Sequence, residues 1–174
     1  MDGTTERIAT AHHESGHAVV ACILGHPFEV VSLLEDPSDD RAGGVRPRPL
    51  PHALGEPFLR VAAIRRLRVV YAGCLPEARY LDVDFTRVWS SKYSWSDREV
   101  AGQLGCLLSA SLGGSPLTHQ RAALRTAQDL VDAHCASIAA VALELAERDE
   151  LSPDRVAEIV AATGGSPRFP WLTT

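Results

Sequence analysis

His13, Glu14 and His17 stand together in "ATAHHESGHAVVA", Ala9 to Ala21, a stretch that is otherwise small and apolar. On a helix, residues four apart lie one above the other on the same face. His13 and His17 can therefore present two imidazoles to one metal ion. Glu14 follows His13 directly and cannot share that ligand face. It flanks the ion, where a carboxylate can take a proton from a metal-bound water and pass it to a leaving group. Zinc suits this chemistry because it lowers the pKa of its bound water towards neutrality. Gly16 adds no side chain that would crowd the two histidines, and it costs roughly 1 kcal/mol of helix stability relative to alanine. A glycine there is easiest to understand if something approaches the helix backbone. His12 has only Gly16 at its i+4 position, so it lacks a partner on its own face. The plain alternative is a helix whose histidines are exposed or satisfied in a core.

Catalytic zinc usually keeps three protein ligands and one open position. No His-x-x-Gly-x-x-His continuation follows His17, and His26 comes too soon, past the stop at Gly25. The third ligand is therefore expected among the Asp, Glu and His residues further on.

The elements that must position these groups follow from pattern and punctuation. Thr5 to Leu24 reads as a helix, with Thr4 or Thr5 as N-cap and Gly25 as the stop. "FEVVSLL", Phe28 to Leu34, is short and β-branched and reads as a strand. "EDPSDDRAGG" reads as a loop. "GVRPRPL" reads as a second strand, confined by its prolines to an edge. Pro57 to Tyr71 reads as a helix. "LDVDFTRVWSSKYSW" lacks a helical period and reads as a loop. Ser96-Asp97-Arg98-Glu99 has the form of a capping box, opening a helix to about Leu112. "GGSP" breaks it, and Thr118 is the expected cap of a helix to about Glu147. "LSPDRVAEIVAAT" is a last short helix with Pro153 in its first turn. The sum is a mainly α fold with a small β-sheet (α+β), in one domain over residues 1–174.

Composition bounds the function. At 174 residues the chain is long enough for a real core. Its 45% hydrophobic and 22% charged content is that of a soluble globular protein. A net charge of -5 argues against nucleic acid as a partner. "MDGTTERIAT" has no basic stretch leading into an apolar run, so no signal peptide is expected, and no apolar run reaches membrane-spanning length. A cytoplasmic protein without a membrane partner is the expectation. Cys22, Cys74, Cys106 and Cys135 form no C-x-x-C pair and are expected as reduced thiols in helical cores.

"TAHHESGHAVVA" resembles the helix that opens the peptidase domain of FtsH-type ATP-dependent metalloproteases, where His-Glu-Ala-Gly-His precedes Ala and apolar residues. "EVVSLLEDPSDDRAGGV" is similar to that family's strand, loop and second strand. "VVYAGCLPEARYL" resembles its Gly-Gly-Arg-Ala-Ala-Glu-Glu-Leu segment, with Gly73 and Glu77 in matching places. "SWSDREV" is similar to its Ser-Asn-Asp-Leu-Glu stretch, and "LELAERDELSPDRVAEIV" to its C-terminal pattern. The resemblance implies a zincin-like helical peptidase domain. It places the third zinc ligand on Asp97, beside His13 and His17, with Glu14 as the catalytic base. Read by itself, Asp97 is a first-turn carboxylate favoured by the helix dipole. Glu77 either orients a metal-bound histidine or lies on a solvated helix face.

The departures from the family shape the expected function. No G-x-x-x-x-G-K-[ST] occurs, so the chain is expected to act without ATP. "VWSSKYSW" replaces the family's Thr-Thr-Gly-Ala run, which puts Trp89, Tyr93 and Trp95 just ahead of the ligand, either lining a pocket or closing a local core. The expectation is a stand-alone zinc hydrolase cleaving peptide or amide bonds of unstructured or small substrates. An extended peptide would pair with an edge strand, either near Gly44 to Arg48 or at Phe28 to Leu34. Two alternatives remain open: a biosynthetic metalloenzyme using the same zinc on a small molecule, and a non-catalytic module that docks a partner. The resemblance also allows a homo-oligomer.

Overall fold

The computed structural model describes residues 3–36, 41–48 and 55–168. Helix α1 (Gly3–Leu24) leads into a hairpin of β1 (Phe28–Asp36) and β2 (Arg41–Pro47). There follow α2 (Glu56–Ala72), α3 (Cys74–Tyr80) and the short α4 (Phe85–Trp89). A 3-10 turn (Lys92–Ser94) leads into α5 (Trp95–Leu112). The chain then forms α6 (Pro116–Ala133), α7 (Cys135–Arg148), β3 (Glu150–Leu151) and α8 (Pro153–Ala162). The fold is mainly α with a small three-stranded antiparallel sheet, as the sequence pattern predicts. Among the described residues no helix is long and apolar enough to cross a membrane.

α1 is the central element. Its second half, Ala18 to Cys22, has no exposed surface. It packs against α2, α3, α7, α8 and β1, so an apolar run on every face is what its position requires. Gly16 makes the closest of these contacts possible. A Cβ there would lie 2.8 Å from Pro76 Cγ and closer still to the Ala72 carbonyl oxygen. The helix backbone therefore rests directly on the junction of α2 and α3. The approach that the glycine implied is made by protein.

β1 is the middle strand, pairing Val31 with Val45 of β2 on one side and with Leu151 of β3 on the other. Of the two segments that could offer an edge, β2 is the one that does. Gly43 sits beside an irregularity in the register, at φ +97°, where a Cβ would lie 2.6 Å from the Ser32 carbonyl oxygen. Only glycine fits that position.

Several local expectations are corrected. The supposed loop at 35–44 is partly strand, since β1 runs to Asp36 and β2 starts at Arg41; residues 37–40 lie outside the described residues. The end of the predicted second strand at Pro49 and Leu50 also lies outside them. α1 begins at Gly3, so Thr4 and Thr5 are inside it rather than capping it. Residues 81–95 are not structureless; they contain α4 and the 3-10 turn, both too short to show a period. α6 is capped by Ser115, whose side chain accepts from the Thr118 N–H, and the long helix expected to Glu147 breaks at His134. Cys22 and Cys74 are buried thiols, whereas Cys106 and Cys135 are exposed.

Candidate metal centre

The histidine pair comes from the middle of α1 and the third donor from the first turn of α5. His13 Nε2 and His17 Nε2 lie 3.0 Å apart. Asp97 Oδ2 is 3.2 Å from the first and 3.4 Å from the second. A tetrahedral ion with ligand bonds of about 2.0–2.1 Å needs donors about 3.3–3.4 Å apart, so this triangle is close to the size that zinc requires.

The backs of the imidazoles fix which nitrogens face inward. His17 Nδ1 is 2.7 Å from the Val69 carbonyl oxygen, which can only accept. The proton therefore sits on Nδ1, and Nε2 presents a lone pair. His13 Nδ1 is 2.6 Å from Glu77 Oε2, a carboxylate that imposes the same tautomer. Three lone pairs thus converge within 3.4 Å of one another. That arrangement is repulsive unless a proton or a metal cation stands among them. Of the two roles open to Glu77, the structure gives the histidine-orienting one. Val69 lies in the last turn of α2, where carbonyls can bond outside the helix.

Asp97 is not a capping residue. α5 starts at Trp95 with Ser94 before it, so Ser96 is inside the helix and no capping box forms. Ser94 is buried and serves another purpose: its hydroxyl donates to the Val88 carbonyl and accepts from the Cys74 thiol. These bonds fasten the turn ahead of α5 to α3 and α4. Arg98 donates to the carbonyls of Trp89 and Ser91 and secures the same turn. The Asp97 carboxylate is left directed at the histidines, and they hold its pKa far below the ordinary carboxylate range despite burial. Burial opposes protonation of His13, yet Asp97, Cys74 and Glu77 raise its pKa well above the ordinary value. His17 is raised too, its burial outweighed by Asp97. The whole cluster is poised to hold positive charge.

Glu14 lies beside this triangle on the same cleft wall. It is 8% exposed, and its Oε2 has no hydrogen-bond partner among the described residues. Burial raises its pKa against the pull of the two histidines. A buried carboxylate oxygen without a partner costs about 1–3 kcal/mol or more, so it marks a place where the fold tolerates expense beside the donor set. The donor chemistry, the triangle and this oxygen together fit a bound metal ion.

Gly73, where α2 meets α3, had no role read from the residues alone. A Cβ there would lie 2.8 Å from His13 Nε2 and closer to the His17 ring. Its backbone is ordinary right-handed helix, so no turn demands a glycine and no local signal betrays its purpose. His12 is turned away from the cluster and stacks on Tyr80, with ring centroids 4.8 Å apart.

The cluster opens into a cleft of about 880 Å³. One stripe of α1 forms its floor, from Gly3, Glu6 and Thr10 through His13 and His17 to Ala21. Gly43, Gly44, Val45 and Pro47 of the β2 edge line it, as do Tyr93 and Trp95. The last two are 65% and 54% exposed, so they border the cleft rather than fill a core. Trp89 divides from them. It stacks between Tyr71 and Phe85 and is half-buried against the core.

Comparison with protein-family models and with curated proteins finds no match to this chain. The site is therefore characterised by its geometry: a His-His-Asp donor cluster able to hold a metal ion, with a buried glutamate beside it. If Asp97 is the third ligand, Asp97→Ala should weaken zinc binding by more than about 100-fold, beyond the 10–100-fold typical of losing an outer partner. Titration against a competing chelator measures this. Wild-type affinity in Asp97→Ala would assign the third position elsewhere.

Proposed function

We propose that the chain is a zinc-dependent hydrolase that cleaves peptide bonds in unstructured segments without ATP, a peptidase of the kind the FtsH-type resemblance suggests. His13, His17 and Asp97 hold the ion, and Glu77 and the Val69 carbonyl keep the two imidazoles in the ligating tautomer. A zinc ion held there supplies Lewis acidity, which polarises a carbonyl and acidifies water. Glu14 accepts the proton of the attacking water and delivers it to the departing amine nitrogen. The apolar wall of Ala21, Val69 and Val70 limits solvent around the reacting groups.

The observation that carries the peptide reading is the length of the cleft. From Gly3 to His17 its floor follows about 21 Å of helix, at 1.5 Å per residue. An extended chain rises about 3.3 Å per residue, so roughly six residues can lie along it. The cleft continues past the metal cluster to His26, Pro27 and Arg66, so the cluster is not at a blind end. The β2 edge offers backbone groups to such a chain alongside the cluster.

An unstructured peptide library tests this directly. The zinc-loaded protein should cut internal bonds, and removal of zinc by a chelator should abolish cleavage, with recovery when zinc is restored. Turnover confined to small amides or other non-peptides would keep the metal chemistry and replace the peptidase assignment. Partner binding without turnover of anything would favour the docking module.

A further inference from the structure

We propose that the end of the cleft formed by His26 and Arg66 recognises a carboxylate on the substrate, about three residues from the bond that is cut. This rests on the peptidase reading above and adds the substrate class: peptides anionic at one defined position.

Two arginines line the cleft, and they are in opposite states. Arg7, at the far end, is engaged; it bonds the Ala146 carbonyl at 2.9 Å and pairs with Asp149 at 2.5 Å. Arg66 is exposed, lines the cleft, and has no hydrogen bond or ion pair with any described residue. Its neighbour Arg65 points elsewhere, to the Gly25 carbonyl. Arg66 is therefore a cleft guanidinium whose five donors are uncommitted among the described residues. His26 shares this end of the cleft, and burial and the charges of Arg66 and Arg65 push its pKa down to about 4. It stands as a neutral imidazole in a positive local field, able to add one hydrogen bond to an anion without adding a charge that would repel Arg66.

The surroundings favour such a pairing. Phe28 is buried, and Val69, Val70 and Ala21 continue the apolar wall from the metal cluster to this end. A guanidinium recognises a carboxylate by two parallel, charge-assisted hydrogen bonds, and the apolar wall beside it offers no competing acceptor side chain. The spacing follows from α2. Val69, whose carbonyl holds His17, lies one turn beyond Arg66, about 5 Å along the axis, and the arginine stem adds a similar reach. With its stem extended away from the cluster, the cation would stand about 10 Å from it, the length of roughly three extended residues.

The test uses matched peptides carrying Asp, Asn or Lys three residues from the scissile bond, on either side of it. A second set ends at that distance in a free carboxylate or an amide. The zinc-loaded wild type is read by kcat/KM, and the zinc-loaded Glu14→Gln variant by Kd, so that binding is measured apart from turnover. Wild type should prefer the anionic peptide by about 10-fold or more, the usual size of a charge-assisted hydrogen-bonded pair. Arg66→Gln should bring the ratio to about one, and Arg66→Glu should turn the preference towards Lys. A mere structural role for Arg66 would not produce that inversion. Preference for Asp over Asn identifies an internal acidic side chain as the source; preference for the free terminus over the amide identifies a C-terminal carboxylate. Peptides cut equally whatever their charge, or a preference that survives Arg66→Gln, would overturn this inference and leave the peptidase reading intact. Failure of every peptide to bind or be cut would overturn both.

Discussion

Glu14→Gln is expected to retain zinc at wild-type affinity and to lose about 10²–10⁴-fold in turnover, the usual size of removing a general base. The two halves of that expectation come from different features of the structure. Metal retention follows because Glu14 is not among the three groups whose donor atoms converge. The loss of turnover follows from the proton-acceptor role proposed for Glu14, whose buried Oε2 has no hydrogen-bond partner among the described residues and lies on the cleft wall beside the cluster. Glutamine keeps the volume and the hydrogen-bonding shape but cannot take up a proton at neutral pH. A lowered zinc content in Glu14→Gln would mean that the carboxylate coordinates the ion. Unchanged turnover with full zinc would remove Glu14 from the chemistry.

The site divides sharply into what local sequence could carry and what it could not. His13 and His17 were legible because helical periodicity alone places them on one face, whatever the rest of the fold does. Gly16 was legible as a close approach because an interior helix glycine has few other reasons to be there. Asp97 was different. It lies 84 residues from His13, and no spacing rule joins them. Read by itself, Asp97 is a first-turn carboxylate, and it is one, but the capping box read at Ser96 places the start of α5 too late. The helix is entered two residues earlier, from Ser94, whose hydroxyl is engaged by Cys74 and Val88, contacts that only the folded chain creates. Trp89, Tyr93 and Trp95 looked alike as a cluster, yet tertiary packing sets the first against the core and leaves the other two at the cleft. Local pattern cannot separate them, because each sits in an element of five residues or fewer or at a helix start.

Gly73 carries the other large expectation, and it is one that no property of glycine's backbone would suggest. At φ -70° and ψ -53° the residue is in ordinary helical conformation, so alanine meets no backbone strain and is intrinsically favoured by about 1 kcal/mol. What alanine cannot do is share the space. Its methyl would press on both inward nitrogens, 2.8 Å from His13 Nε2 and nearer to His17. The imidazoles cannot swing aside cheaply, because Glu77 and the Val69 carbonyl hold them from behind. Either those bonds break or the donor triangle opens, and both outcomes degrade the site rather than the fold. Gly73→Ala should therefore lose zinc affinity by about 100-fold or more, comparable with or beyond losing an orienting partner. Its helical content should stay that of the wild type. Gly102→Ala supplies the contrast, since a Cβ at that helical position meets nothing within 4 Å and should leave zinc binding unchanged. Zinc titration and circular dichroism on the two variants decide the matter. Equal zinc affinity in both would show that the histidines have room to move and that the convergence of their nitrogens is not held by Gly73.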